Sequence, residues 1–334
     1  MTAISIILCT HQRASSLVQT LESFCRLEVP AGLSWELIVV DNNSTDDTRA
    51  VCDRFADRLP LLYLLETRQG LSIARNRALA DARGEWLLFT DDDVDVDQHW
   101  LATLHAATLR HPEIDFIGGV VLPRWEVPPP AWLVRHAQSK LPGVTMHFHI
   151  GDQERKLDSS DTLLFVGANM GFHRRVFIDG LRFDESLGRT GLRLLVGEES
   201  KVIRQIIARG GEGLYVPAAI VHHRNPRDRM TEKYVRDWFC GYGISLVRAQ
   251  QIEPTCFWAG MPLRSIRRIV INAIRYGLTR WTCPSHIWLR AEIVFATHWA
   301  SSPSFASGGN WLLVHLEAAG AMPPFKHLRR RSFQ

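Results

Sequence analysis

The chain has 334 residues, of which 46% are hydrophobic and 22% are charged, and its formal net charge is +4. This composition excludes an intrinsically disordered chain, and the length allows one large domain or two to three fused parts. The six cysteines form no C-x-x-C pair and no zinc-like spacing, which argues against a disulfide scaffold and fits a reducing compartment. No apolar run approaches the roughly 18 residues that a membrane span needs, and the N-terminus lacks the basic region of a signal peptide. We therefore expect a cytoplasmic protein.

The first third of the chain alternates between apolar runs and helical patterns. Four short apolar runs, each typical of a buried parallel strand, occupy 4–9, 35–41, 61–66 and 85–91. The segments between them have apolar residues at helical spacing or Ser/Asp capping chemistry. This alternation predicts an α/β fold with a parallel sheet covered by helices, in which ligands collect at the carboxyl ends of the strands. Thr10, His11, Asp41 and the aspartates from Asp91 onward follow these ends, so we expect them to share one crevice.

The pattern changes from about residue 120. A Pro-rich connection, "RWEVPPPAWL", is followed by a strand and turn, "TLLFVGANMGFHRRVF". The segment "VGEESKVIRQIIARG" predicts an amphipathic helix that ends at Gly210 and Gly211, and "EGLYVPAAIVHHR" predicts a further strand. Beyond residue 231 the pattern is helical. Residues 257–334 hold ten Lys/Arg against two acidic residues, so this end of the chain is strongly basic.

Five aspartates directly follow the fourth apolar run, in the sequence "LLFTDDDVDVD". Alternating carboxylates are typical of a site for a hard divalent cation. A calcium-binding EF-hand loop is excluded, because counting from Asp91 places Val96 and Ala102 where the loop needs Gly and Glu. We interpret Asp95 and Asp97 as a solvated turn that caps the next helix. Asp91 and Asp93 lie where an α/β sheet holds diphosphates, and we expect them to bind a metal that bridges to a phosphate.

The order of these motifs resembles that of the nucleotide-sugar-dependent glycosyltransferases of family two, over about residues 3–245. "SIILCTHQR", "LIVVDNNSTDDT", "GLSIARNRAL" and "LLFTDDD" resemble the family's nucleotide loop, second strand, donor-side helix and D-x-D motif. "GANMGFHRRVF", "RFDESLGRTGLRLLVGEES" and "YVPAAIVHH" resemble its acceptor-side segment, the loop to its G-E-D motif and a strand that carries a late histidine. The resemblance implies a GT-A-type, Rossmann-like mixed sheet flanked by helices, with a C-terminal helical extension.

The resemblance also implies a donor site and a metal. The donor-binding residues would be Thr10, His11, Arg13, Asp41, Arg75, Asp91 and Asp92. In this set Asp41 would accept a hydrogen bond from the base and Arg75 would face the diphosphate. Asp93 and His222 would hold the cofactor, Mn²⁺ or Mg²⁺.

Glu198 and Glu199 form a second acidic centre. Sugar transfer with inversion needs a general base that removes the proton of the acceptor hydroxyl. The resemblance assigns this catalytic role to Glu199, and acceptor binding to Glu198 and Asn169. The family usually has Asp at the position of Glu199, whose extra methylene shifts the carboxylate by roughly 1 Å, a distance that matters in catalysis. Glu198 therefore remains the alternative base.

The implied function is transfer of a sugar from a nucleotide diphosphate sugar, a UDP-sugar by expectation, to a saccharide or lipid-linked acceptor in polysaccharide or glycolipid biosynthesis. No nucleic acid partner is expected. Residues 1–120 would form the donor half, 121–230 the acceptor and catalytic half, and 231–334 a helical, basic extension. Two alternatives stay open, an inactive nucleotide-sugar-binding protein and a nucleotidyltransferase. The latter would need a Gly-rich phosphate loop, whereas "CTHQRASS" has no glycine.

The basic extension contains an amphipathic pattern. Arg264, Arg267, Arg268 and Arg275 share one sector of a helical wheel, and aliphatic residues occupy the opposite side. Such a helix is compatible with contact to an anionic membrane on its inner face, near a lipid-linked acceptor. It is equally compatible with a helix that packs on the catalytic domain and exposes its charges to water.

Overall fold

A computed structural model of the chain describes residues 2–138, 142–158, 165–190 and 194–248, together with 257–258, 261–262, 270–271 and 274. Within these residues the chain forms a mixed sheet flanked by helices, which confirms the predicted α/β fold. Most of the basic extension, including Arg264, Arg267, Arg268 and Arg275, lies outside the described residues. Among the helices that the structure describes, none is both long enough and apolar enough to cross a membrane.

The first third of the chain builds the parallel part of the sheet. The strands are β1 (Ile4–Thr10), β2 (Trp35–Asp41), β3 (Leu61–Leu65) and β4 (Trp86–Asp91), and the helices between them are α1 (Ala14–Phe24), α2 (Thr48–Phe55) and α3 (Leu71–Asp81). The strands pair in the order β3-β2-β1-β4. Thr10 is in register with Asp41 on one side, and its neighbour Cys9 is in register with Asp91 on the other. The carboxyl ends of β1, β2 and β4 therefore meet at one edge, as predicted.

The remaining described elements extend the sheet beyond β4. They are β5 (Val94–Val96), α4 (Trp100–Arg110), β6 (Phe116–Trp125), α5 (Ala131–Gln138), α6 (Pro142–Thr145), β7 (Arg155–Leu157), β8 (Met170–His173), a 3₁₀ helix (Arg174–Phe177), α7 (Glu198–Ala208), β9 (Gly213–Asn225), a second 3₁₀ helix (Arg227–Met230) and α8 (Glu232–Arg248). A small pair, β10 (Phe257–Trp258) and β11 (Met261–Pro262), follows.

The added strands make the sheet mixed. β8 runs antiparallel to both β4 and β6, β9 runs parallel to β6, and β5 and β7 run antiparallel to β9. The full order is β3-β2-β1-β4-β8-β6-β9-β5, with β7 also paired to β9. β9 is thus adjacent to β5, which begins directly after the aspartate turn, and brings late residues of the chain to the edge where β4 ends.

Two apolar clusters hold these layers together. The larger one joins the sheet to its helices and includes the fully buried β-branched and leucine residues of β1 and β2, such as Ile6, Ile7 and Leu8. The smaller one packs α8 against α5 and α6 and consists of Leu133, Val144, Met230, Val235, Trp238 and Phe239. The first described part of the extension, α8, therefore packs on the elements that precede it.

Candidate active site

Three possible metal ligands converge at the carboxyl edge of the sheet. Asp91 ends β4, Asp93 lies in the turn between β4 and β5, and His223 lies opposite Val94 on β9. One ligand atom from each of these residues lies within 4.8 Å of the others. Two carboxylates suit Mg²⁺ or Mn²⁺, and the imidazole makes the transition metal the better match of the two. The donor set therefore fits a divalent cation.

The histidine in this group is His223 and not the expected His222. Side chains of consecutive strand residues point to opposite faces. Along β9 the buried residues alternate as Val221, His223 and Asn225, and His222 is partly exposed and in register with Asp95. The structure thus brings His223, and not the expected His222, beside Asp91 and Asp93, and the alternation from Val221 was the sequence signal that would have pointed to it.

Asp93 is buried and is surrounded by positive groups. Its Oδ2 accepts hydrogen bonds from Arg13 at 2.6 Å and from Arg229 at 2.8 Å, and its Oδ1 lies 3.0 Å from Nε2 of His223. Burial alone would raise the pKa of Asp93, but His223 and Arg229 hold it well below its usual range. The carboxylate therefore stays ionised, as a metal ligand must be.

Thr10 and Asp92 are hydrogen-bonded to each other. Thr10 Oγ1 donates to Asp92 Oδ2 at 2.7 Å, and Arg13 donates to Asp92 Oδ1 at 3.0 Å. Both Thr10 and Asp92 are buried. Their side chains fix the loop after β1 to the aspartate turn, which leaves Arg13 as the member of this group that is half-exposed at the donor side.

Asp41 and His11 lie at the nucleotide side of the edge. Asp41 is buried and accepts hydrogen bonds from the Ser44 amide and the Tyr63 hydroxyl, both at 2.8 Å. Burial and this bond to Asp41 raise the pKa of Tyr63 to about 12. His11 is partly exposed, and its Nε2 lies 3.3 Å from Nε2 of Gln69. The imidazole of His11 is the more accessible of the two groups for contact with a base.

The second acidic centre lies at the start of α7. Gly197 precedes it in a left-handed conformation with φ of 95°, and Glu198 and Glu199 are the first two residues of the helix. Arg75 of α3, which is buried, donates to Glu198 Oε1 at 2.7 Å and lies 3.9 Å from Asp91 Oδ1. Arg75 therefore stands between the two acidic centres and links them, and its guanidinium is largely occupied by Glu198.

Two glycines provide the space for this link. A Cβ at Gly167 would lie 2.5 Å from Nη2 of Arg75, and a Cβ at Gly188 would lie 3.3 Å from Cδ of Glu198. The ion pair thus occupies volume that any larger residue at either position would reduce.

Glu199 has a different environment from Glu198. Its Oε2 is buried and, like Oε2 of Glu198, has no hydrogen-bond partner in the described part of the chain, but of the two residues it is Glu198 that forms an ion pair there, with Arg75. Burial, and then the negative charge of Glu198, raise the pKa of Glu199 to about 8. A carboxylate with a free oxygen and a pKa near neutrality is suited to accept a proton.

Asn169, expected at the acceptor, is a structural residue in the core. Its Nδ2 donates to the carbonyls of Val120 and Ala219, both at 2.9 Å, and its Oδ1 accepts from the indole of Trp100 at 2.9 Å. The residue is fully buried. Because its amide is satisfied by β6, β9 and α4, it joins these elements and has no surface to offer an acceptor.

Two arginines of the site were not predicted from the sequence. Arg229 follows the end of β9 and contacts Asp93, as described above. Arg224 donates to Thr20 Oγ1 and the Val94 carbonyl, both at 2.7 Å, and to Asp95, so it fastens β5 to α1. Neither arginine lies in a recognisable motif, and the partners named here are more than 120 residues away in the chain, so no local pattern indicated these contacts.

The comparisons with known proteins agree with this geometry. Residues 5–181, more than half of the chain, match the family model described as Glycosyl transferase family 2. A glucosyl-dolichyl phosphate glucuronosyltransferase of Haloferax volcanii is 26% identical over 228 residues, which cover 66% of this chain and 69% of the relative. The succinoglycan biosynthesis protein ExoM of Rhizobium meliloti is 28% identical over 228 residues, 68% of each chain.

Solved structures share the fold. The mannosyltransferase PcManGT from Pyrobaculum calidifontis, in complex with GDP-Man and Mn²⁺, matches with a TM-score of 0.54 at 20% identity and covers 96% of this chain and 76% of its own. S. aureus TarS 1-349 in complex with UDP matches with a TM-score of 0.51 at 14% identity, over 92% of each chain. The predicted GT-A fold is confirmed.

Proposed function

The chain belongs to glycosyltransferase family 2, and on this premise we propose that it transfers a sugar from a nucleotide diphosphate sugar to a hydroxyl group, with inversion and with a bound divalent cation. One observation carries the proposal. Two acidic centres, Asp91/Asp93 and Glu198/Glu199, lie on either side of the buried Arg75 at the carboxyl edge of the sheet. An inverting transfer requires such a pair, a site for the diphosphate and a base across from it.

The donor side would hold Mn²⁺ or Mg²⁺ through Asp91, Asp93 and His223. Such a cation supplies charge neutralisation to the departing diphosphate. His11 would stack on the base, and Arg13, half-exposed beside Asp93, is placed to pair with a phosphate. We keep a UDP-sugar as the first candidate donor, and GDP-sugars are the alternative because a structural neighbour was solved with GDP-Man.

The catalytic base would be Glu199. Glu198 is paired with Arg75 through Oε1, whereas Glu199 forms no ion pair among the described residues and its pKa is raised to about 8. Oε2 is without a hydrogen-bond partner in both residues. In the reaction, the acceptor oxygen bonds to the anomeric carbon and its proton passes to the Glu199 carboxylate. The bond from that carbon to the diphosphate oxygen breaks on the opposite face, and the electron pair leaves with the nucleoside diphosphate. Glu198, held by Arg75, would orient the acceptor, the role expected for it from the sequence.

The acceptor class is proposed from the relatives. One relative is named for a dolichyl phosphate-linked glucose and another for succinoglycan biosynthesis. These names support a saccharide or lipid-linked acceptor in glycolipid or polysaccharide synthesis. A cytoplasmic enzyme in peripheral contact with an anionic membrane fits such an acceptor. The assignment of residues 1–120 to the donor and of 121–230 to the acceptor and catalysis is part of the same proposal.

Calorimetry with UDP and GDP, and then with their sugars, tests the donor site. We expect nucleotide binding to be weak without Mn²⁺, because Asp91, Asp92 and Asp93 repel a diphosphate, and to strengthen when the cation is added. Asp93→Asn should lose the metal-dependent gain, and Asp57→Asn, at an exposed aspartate after α2, should retain it. Equal nucleotide affinity with and without the cation in the wild type would contradict the metal-dependent site.

Sugar transfer itself separates the enzyme from an inactive nucleotide-sugar-binding protein. The assay measures release of nucleoside diphosphate, with water or an added saccharide as acceptor, for each donor that binds. We expect turnover that depends on Glu199. Tight donor binding without any release of diphosphate would favour the inactive binding protein.

A further inference from the structure

Helix α8 lies directly against the segment that leads to the catalytic acids. A Cβ at Gly241 would lie 2.1 Å from the carbonyl oxygen of Leu194 and 2.7 Å from its carbonyl carbon. The contact is between two backbones, and neither can move aside as a flexible side chain would. Glycine at position 241 therefore allows residues 194–196 to rest on the helix.

One helical turn later, Ser245 forms a hydrogen bond with the same segment. Ser245 is buried, its Oγ accepts a hydrogen bond from the Val196 amide at 2.9 Å, and it donates to the Gly241 carbonyl at 2.9 Å. Leu194 and Val196 also pack against the apolar cluster that α8 forms with α5 and α6. The segment is thus held by backbone contact, by a hydrogen bond and by apolar packing, two residues before Glu198.

The start of α7 depends on this support. Its N-cap residue is Gly197, in the left-handed conformation, and among the residues that the structure describes no side chain caps the helix. Position 197 faces open space, since a Cβ built there would have no neighbour within 4 Å among the described residues. This residue therefore does not anchor the start of the helix. The direction in which Glu198 and Glu199 leave the chain therefore depends on how residues 194–196 are held, together with the Arg75–Glu198 pair and the packing of α7 in the core.

The opposite end of α8 reaches the donor side. Arg229, whose guanidinium contacts Asp93, belongs to the 3₁₀ helix immediately before α8, and the Val235 amide of α8 donates to the Thr231 carbonyl between them. One continuous stretch, Arg227–Arg248, therefore contacts Asp93 near its start and, further along, packs against the segment that precedes Glu198 and Glu199.

From these contacts we propose that Gly241 and Ser245 are positioning residues, which set the location of the Glu199 carboxylate relative to the donor site. The proposal rests on the proposed function of Glu199 as base. It gives the extension that begins at residue 231 a part in the reaction, through α8. A displacement of a base by about 1 Å is enough to lower turnover strongly. Loss of the contacts between α8 and residues 194–196 should therefore lower kcat.

Ser245→Ala tests the proposal, and Ser23→Ala is a matched control. Ser23, buried in α1, has the same arrangement, since its Oγ donates to the Thr20 carbonyl at 2.7 Å and accepts from the Val96 amide at 3.2 Å. Both variants lose one buried hydroxyl that joins a helix to the backbone of a neighbouring segment, so both should lose similar thermal stability. Only Ser245→Ala should lower kcat, by about tenfold or more, with the donor KM and UDP affinity within about twofold of wild type.

Hydrogen exchange measured by mass spectrometry gives a readout that does not depend on activity. A peptide that covers residues 194–202 should exchange faster in Ser245→Ala than in the wild type. Its exchange rate in Ser23→Ala should equal that of the wild type. Gly241→Ala should act in the same direction and more strongly if it folds. If the wild type transfers no sugar, the proposed function fails. The exchange result alone then decides whether α8 holds residues 194–196 in place. Unchanged exchange, or faster exchange with an unchanged kcat, would overturn the positioning role.

Discussion

Glu198 and Glu199 are neighbours in the chain, yet the fold gives their carboxylates different partners. Glu198 receives the guanidinium of Arg75 in a buried ion pair, whereas Glu199 forms no ion pair among the described residues, and Oε2 of each acid lacks a hydrogen-bond partner there. Breaking a buried pair leaves an uncompensated charge, so Arg75 and Glu198 depend on each other. At the scale of single residues, the pairing of Glu198 is what makes Glu199 the available base.

Substitution of the two acids separates their roles. Glu199→Gln should lower kcat by about 10²-fold or more, the scale of general-base catalysis, because an amide cannot accept the proton. Donor affinity should survive, since Glu199 does not contact the donor carboxylates. Glu198→Gln should raise the acceptor KM more than it lowers kcat. Steady-state kinetics at saturating donor checks both, with Glu199→Asp as the conservative variant. Near wild-type turnover of Glu199→Gln together with an inactive Glu198→Gln would make Glu198 the base.

The pH profile provides an independent check of the same assignment. Burial and the charge of Glu198 raise the pKa of Glu199 to about 8, and a base acts only when deprotonated. kcat/KM should therefore rise with pH, about tenfold per unit below pH 8, and level off above it. The rising limb should disappear in Glu199→Gln. A profile that is flat from pH 6 to 9 in the wild type would contradict this pKa.

At the scale of elements, the sheet explains what the sequence could and could not predict. The apolar runs of β1, β2 and β4 are continuous and end in polar residues, so strand type, parallel pairing and the convergence of Asp41 and Asp91 followed from local patterns. The core contacts of Asn169, with Val120 and Ala219, were not predictable from local patterns, because these partners belong to strands paired far along the chain. Arg229 escaped notice for the same reason, since its contact with Asp93 exists only after β9 and β5 have paired.

Strand alternation on β9 gives a prediction with a built-in control. His223→Gln should weaken Mn²⁺ binding in the presence of UDP by about tenfold or more, because even groups that only orient a metal ligand contribute 10- to 100-fold. His222→Gln, one residue away on the opposite face, should remain within about twofold of wild type. Titration of Mn²⁺ followed by electron paramagnetic resonance measures both affinities. Equal losses in the two variants would argue against His223 as the ligand.

At the scale of the whole molecule, charge is unevenly distributed along the chain. Residues 257–334 have a net charge of +8, so the remainder, which contains both acidic centres, has a net charge of −4. The basic arginines Arg264, Arg267 and Arg268 lie outside the described residues, and their helical pattern is a prediction from sequence. An acidic catalytic region joined to a basic segment is compatible with an enzyme that approaches an anionic surface by that segment.

Sedimentation with anionic liposomes tests this arrangement on the full chain. If the basic segment contacts the membrane, binding should fall as salt is added, because the charges are then screened. Replacing Arg264, Arg267 and Arg268 with Gln should weaken binding by about 10²-fold at low salt, since each basic residue near such a surface contributes about 1 kcal/mol.

The control for this experiment removes the same charge from the catalytic region. Arg49, Arg54 and Arg58 are exposed on or just after α2, and their replacement with Gln should leave liposome binding nearly unchanged. A purely electrostatic response to net charge would weaken both triple variants equally and would remove any special role for the C-terminal segment. Binding that ignores salt and both sets of substitutions would favour the alternative, a helix packed on the catalytic domain with its arginines in water.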